Sequence, residues 1–174
     1  MDIYQQLKAD HDRQRSLIHA VSQAGDDLEA RHRLLCELYT ELDAHAAAEE
    51  QTYYAALLKH SRDHERIRFS VADHDAFAAL VVELASPGLD DPEWAARFDE
   101  LRDKLHRHLD TEETDGFTLA RRLLDDDRAR ALGERYADLK AVELGVSIAL
   151  ATPLLPILDD FAGFGSLSLV EFRF

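Results

Sequence analysis

Two short strings hold most of the chemistry open to this chain. His45 is followed four residues later by Glu49, and His108 by Glu112. An imidazole and a carboxylate four apart share one helix face, separated by a single turn of about 5.4 Å. Two further histidines, His11 and His74, stand alone, each 34 residues before the histidine of a pair. The whole pattern repeats at an offset of 63 residues: Asp10-His11-Asp12 returns as Asp73-His74-Asp75, and Leu42 with His45 as Leu105 with His108. The chain reads as a duplicated half-site, each half supplying two histidines and one glutamate. Imidazole with carboxylate is the donor set that suits non-haem iron and leaves coordination positions open.

Helices must position these groups. Ile3, Leu7, His11, Ile18 and Val21 recur at steps that sum threes and fours, predicting an amphipathic helix over about 2–24. A second stripe runs Leu35, Leu38, Leu42, His45, Glu49 and Thr52 on a helix over 28–59. A third, Ile67, Val71, His74, Ala78 and Val81, belongs to a helix ending near 85, where Ser86-Pro87-Gly88 stops it. The fourth stripe is Phe98, Leu101, Leu105, His108, Glu112 and Leu119. Short links between four long helices predict an all-α fold, an antiparallel up-down-up-down four-helix bundle over 1–124. A short fifth helix follows over 125–144, then an apolar C-terminal extension over 145–174 with Pro153 and Pro156.

The placement of the six polar residues decides their reading. A lone histidine on a core stripe is more often a hydrogen-bonded core residue than a ligand. Six such residues are another matter, because two buried carboxylates cost several kcal/mol each unless paired. No Lys or Arg lies on the stripes beside them, Arg15 being the nearest. A two-metal site, with ions about 3.5–4 Å apart, neutralises both carboxylates together.

Composition narrows the partners. With 20 Lys and Arg against 35 Asp and Glu, the formal charge of −15 excludes nucleic acid and an anionic membrane surface as the main partner. The 13-residue apolar run 146–158 is too short to span a bilayer. A single cysteine, Cys36, and a start without the pattern of a signal peptide predict a reducing, cytoplasmic setting. The sequence leaves homo-oligomer formation open.

The series His, His-x-x-x-Glu, His, His-x-x-x-Glu on four helices resembles the hemerythrin-like, HHE cation-binding family over roughly 1–140. The resemblance implies a non-haem di-iron centre, the irons bridged by carboxylates and an oxo or hydroxo group. His11 and His45 would bind one iron, His74 and His108 the other, with Glu49 and Glu112 bridging; manganese or zinc suit similar ligands. The family's oxygen carriers have a fifth histidine through a His-x-x-x-His pair on the third helix, and an aspartate five residues after the fourth-helix histidine. Here Ser70 and Ala78 flank His74, and Glu112 and Glu113 come at four and five. This set is similar to proteins that handle nitric oxide, peroxide or iron.

Three functions use the same ligands. One is a di-iron oxidoreductase or stress protein reacting with oxygen, peroxide or nitric oxide. The second is an oxygen or redox sensor or carrier, and the third an iron store or donor for iron-sulfur repair. Gly165-Ser166-Leu167 is similar to C-terminal peptides that recruit some hemerythrin-like proteins as cargo of protein shells. Tyr54 and Phe117, each five residues past a site glutamate, read first as core packing that walls the site, with hydrogen-bonding of a bridging group or quenching of a radical as a second reading for Tyr53 or Tyr54. Asp10 and Asp73 are expected to serve a neighbouring helix or solvent rather than the site.

Overall fold

Asp2 opens α1 (Ile3–Gln23). Its carboxylate accepts from the Gln5 N–H while the Gln5 side chain accepts from the Asp2 N–H, so two donors at the helix start are satisfied together. Gly25, at φ +55°, turns the chain through the left-handed region that glycine adopts without steric cost. Asp27 then caps α2 (Leu28–Glu49) by accepting from the Ala30 N–H. A π-helical turn, Glu50–Tyr54, joins α2 to α3 (Ala55–His60) without a break in the helical path. After α4 (His64–Ala85), α5 (Asp91–Thr111) passes through a second π-helical turn, Glu112–Gly116, into α6 (Phe117–Leu123), and α7 (Asp126–Ala151) follows. This computed structural model describes residues 1–61, 64–86 and 91–151, and every element among them is helical.

The apolar stripes meet in two clusters. One joins Leu17, Ile18 and Val21 to Leu35, Leu38, Leu80, Val81, Leu84, Phe98 and Leu101. The other joins Ile3, Tyr4 and Leu7 to Tyr53, Tyr54, Leu57, Ile67, Phe117 and Ala120. The late part of α1 thus packs with the early parts of α2 and α5 and the late part of α4, and its early part packs with the reverse set. Together these helices make an all-α bundle. His11, His45, His74 and His108 occupy the same stripes at positions between the two clusters and are buried.

The fifth helix departs from expectation. It is not short: α7 runs 26 residues, past Gly145 to Ala151, and packs chiefly along α2 and α1. One glycine costs a helix about 1 kcal/mol relative to alanine. That is too little to end a helix held by buried Ala129, Tyr136, Lys140 and Ser147. The expected boundary at 145 therefore falls inside α7, and the rest of the extension, Gly165-Ser166-Leu167 included, lies outside the described residues. No helix among the described residues is long and apolar enough to cross a membrane.

Candidate metal centre

Each histidine reaches the centre of the bundle by its place on a core stripe. The rings of His11 and His45 lie 5.2 Å apart between centroids, those of His74 and His108 5.1 Å, and those of His45 and His74 6.2 Å. The glutamates stand between these pairs. Glu49 Oε2 is 3.4 Å from the Nε2 atoms of both His45 and His74, while Glu112 Oε2 is 3.4 Å from His11 Nε2 and 3.9 Å from His108 Nε2. Each carboxylate therefore faces one histidine of each pair. Two overlapping groups have ligand atoms all within 4.8 Å of one another: His11, His45 and Glu112, and His45, Glu49 and His74. His108 stands slightly farther out.

The inner atoms of this cluster are unsatisfied. All four Nε2 atoms, both oxygens of Glu49 and Oε2 of Glu112 are buried without a hydrogen-bond partner. Buried polar groups are otherwise almost always paired, since an orphan loses its hydration with nothing in return. Burial, followed by the charge of Glu112, pushes the Glu49 carboxyl well above the usual range. Burial acts on Glu112 in the same sense, but the nearby His11 imidazole and Glu49 carboxyl outweigh it and hold this carboxyl below its ordinary value. Without a cation, the two carboxylates cannot both be charged at low cost. A metal ion would satisfy the orphaned nitrogens and oxygens together, so the donor set fits one.

The outer nitrogens are all engaged. His11 Nδ1 lies 3.0 Å from Glu113 Oε1, His74 Nδ1 3.1 Å from Glu50 Oε1, and His108 Nδ1 3.3 Å from Asp73 Oδ2. A carboxylate can only accept, so each of these Nδ1 atoms donates and leaves Nε2 with its lone pair facing inward. His45 differs. Its Nδ1 is 2.7 Å from the hydroxyl of Tyr136 on α7, with Asp10 Oδ2 at 3.5 Å. Tyr136 gives its one proton to Asp10, so its oxygen accepts from His45, and the same tautomer results. Lys140, one turn farther along α7, pairs with Asp10 at 2.6 Å and with Glu41. Burial would raise the Asp10 carboxyl, but hydrogen bonds and charge from His45 and Lys140 hold it at about 2.

Several of these supports escape the sequence. Asp10 and Asp73 serve histidines of neighbouring helices rather than the adjacent histidine in the chain, one of the alternatives their positions allowed. Glu50 and Glu113 directly follow the two inward glutamates, and nothing in the helical phase singled them out. Tyr136 and Lys140 carry no repeat signal, although their spacing of four residues places them on one face of α7. Tyr54 and Phe117 do more than pack. The Tyr54 hydroxyl donates to Glu112 Oε1 at 2.6 Å, and the Phe117 ring stacks beside His11 with centroids 6.3 Å apart.

A cleft of about 480 Å³ between α4 and the end of α5 reaches this centre. Arg66, Phe69 and Arg107 border it, and Ser70, Tyr54, His108 and Glu112 lie along its wall. Ser70, four residues before His74, lies on this wall. Among the other histidines, His60 and His64 are exposed at the bundle end, His19 is exposed, and His32 and His106 are half-buried away from the centre. No curated protein and no solved structure matches the chain. A family model described as the hemerythrin HHE cation-binding domain matches residues 2–120, most of the chain and all six inward-facing residues. The chain belongs to the hemerythrin HHE cation-binding family.

Proposed function

We propose that His11, His45, Glu49, His74, His108 and Glu112 hold two iron ions, and that this centre reacts with oxygen, peroxide or nitric oxide in redox or nitrosative stress. The observation that carries the reading is the convergence of four orphaned Nε2 atoms on two carboxylates, each facing one histidine of either pair. Iron bound there supplies electrons and an open position for a small ligand. The protein's part is positional. Glu113, Glu50, Asp73 and Tyr136 fix the four imidazoles in one tautomer. Tyr54 holds one oxygen of Glu112 and leaves the other turned to the histidines.

A cleft whose wall includes His108 and Glu112 gives a small ligand a route toward the centre. Buried Cys36, with burial raising its thiol above the ordinary range, suits a reducing compartment such as the cytoplasm. Iron content after anaerobic reconstitution tests the foundation. About two irons per chain are expected, with marked loss in His74→Ala and Glu112→Ala; fewer than about one in the parent chain would overturn the reading. The reduced protein mixed with oxygen should convert at once to a stable oxidised form. An oxygenated band that reverses under vacuum would instead establish a carrier.

A further inference from the structure

The cleft beside the centre is far larger than a gas requires. Its volume of about 480 Å³ lies within the roughly 300–1,000 Å³ of small-molecule sites, whereas a water-sized ligand needs only about 10–15 Å³. Its inner wall also holds a polar group without a partner. Tyr53 belongs to the lining and is fully buried, and its hydroxyl makes no hydrogen bond. Neither the metal ligands nor their supports use it. Gly116 belongs to the same lining, and a methyl carbon added there would stand 3.3 Å from the hydroxyl. Glycine thus leaves open a space beside this donor that a side chain would occupy.

The charges of the lining run against those of the molecule. The chain has 35 acids against 20 Lys and Arg, yet two of the acids that line the cleft, Asp73 and Glu112, are turned to His108 and the centre. That leaves Glu65 against Arg66, Lys104 and Arg107. Arg66 pairs with Asp115 and Lys104 with Glu100, but surface pairs of this kind contribute only about 0–1 kcal/mol and exchange readily for a ligand. Arg107 is exposed at the mouth and has no ion pair among the described residues. Between mouth and inner wall the surface is apolar, formed by Leu57, Ile67, Phe69 and Leu119. We propose that this cleft binds a small organic carboxylate with an apolar body. The carboxylate accepts from Arg107 at the mouth, the body lies on the apolar wall, and the Tyr53 hydroxyl donates to an acceptor atom at the far end. The inference goes beyond the iron reading, because binding of this kind does not require the metal.

The test is calorimetric titration of the full chain, with and without iron, using para-methoxyphenylacetate as probe and its uncharged amide as control. The acid should bind with a Kd of about 1 mM or tighter, and the amide about three- to tenfold more weakly. Arg107→Gln should remove the acid's advantage over the amide. Tyr53→Phe should weaken both about two- to tenfold, the range expected for one lost hydrogen bond. Ser70→Phe, which fills the wall, should abolish binding; should that variant fail to fold, Arg107→Gln, at an exposed position, decides. No binding of the acid, equal binding of acid and amide, or an acid affinity unmoved by Arg107→Gln would overturn the inference. Binding confined to the iron-loaded chain and indifferent to Arg107→Gln would make the probe an iron ligand and overturn it too. A chain that takes up no iron yet binds the acid would overturn the iron reading alone, and one that takes up iron and binds no acid would overturn this inference alone.

Discussion

Glu112 and Glu113 are neighbours with different work. Glu112 turns inward to two histidines, while Glu113 lies at the edge, accepting from His11 Nδ1 and, at 2.6 Å, from Arg15. Burial would raise the Glu113 carboxyl, but hydrogen bonds from His11 and Arg15 hold it at about 2. A carboxyl depressed in the folded state stabilises the fold above its ordinary pKa of about 4.3, and that contribution is lost as pH falls through the folded value. The metal-free protein should therefore lose urea resistance between about pH 4 and pH 2. Glu113→Gln should make that fall shallower, as urea midpoints across this range would reveal. An unchanged slope would mean that Glu113 gains little from its partners in the folded chain.

At the scale of elements, the two π-helical turns and α7 shape the centre more than their sequences suggest. In the first turn the Ala55 N–H bonds back to Glu50, and in the second the Phe117 N–H bonds back to Glu112, each spanning five residues instead of four. The wider turn lets Thr52, Tyr53 and Tyr54 all be buried, which three consecutive residues of a regular α-helix cannot readily achieve. A periodicity of 3.6 residues is blind to this, and so packing is the first reading of Tyr54 and a hydrogen bond at the site the second, while in the structure it holds Glu112. Gly116 ends the second turn, where an added methyl carbon would come within 3.3 Å of both the Tyr53 hydroxyl and Glu112 Cγ.

Two substitutions test α7. Tyr136→Phe removes the nearer acceptor from His45 Nδ1 and should weaken metal binding on the order of 10- to 100-fold, measured by competition with a chelator. Helix content by circular dichroism should stay unchanged. Gly133 lies against the start of the chain, where an added methyl carbon would sit 2.5 Å from the Met1 carbonyl oxygen and 2.6 Å from the Asp2 carbonyl carbon. Alanine favours a helix by about 1 kcal/mol over glycine, but a clash with backbone outweighs it. Gly133→Ala should destabilise by about 1–2 kcal/mol net and lower Tm by roughly 2–8 °C. A rise in Tm would mean that α7 can move away from the chain start without cost.

For the molecule as a whole, the metal and the fold are coupled. The metal-free centre buries two carboxylates and four unpaired nitrogens among apolar helices. An ion that binds only the folded chain adds about 2.7 kcal/mol when free metal stands at 100 times its Kd, worth roughly 5–10 °C in Tm. Metal removal by a chelator should lower Tm by that amount, and re-addition should restore it; equal Tm values with and without metal would contradict the coupling. The six inward residues were legible in the sequence because helical phase alone decides which side chains reach a bundle's centre, and His11, His45, His74 and His108 replace leucines in that phase. Glu50 and Glu113 were not, being one residue out of phase. Tyr136 was not, because it lies 91 residues from His45 with nothing periodic to connect them. The length of α7 was missed because Gly145 and the apolar residues after it read as a boundary.

The paired π-helical turns also follow the repeat. A turn of this kind accommodates one residue more than the helix would otherwise hold, usually at a local loss of stability, and each of the two begins within one residue of its glutamate. Their matching places set the two turns alongside the 63-residue repeat of the ligand pattern. The unmatched partner is α7, which has no counterpart in the other half, so the support of His45 through Tyr136 is what breaks the symmetry of the repeat.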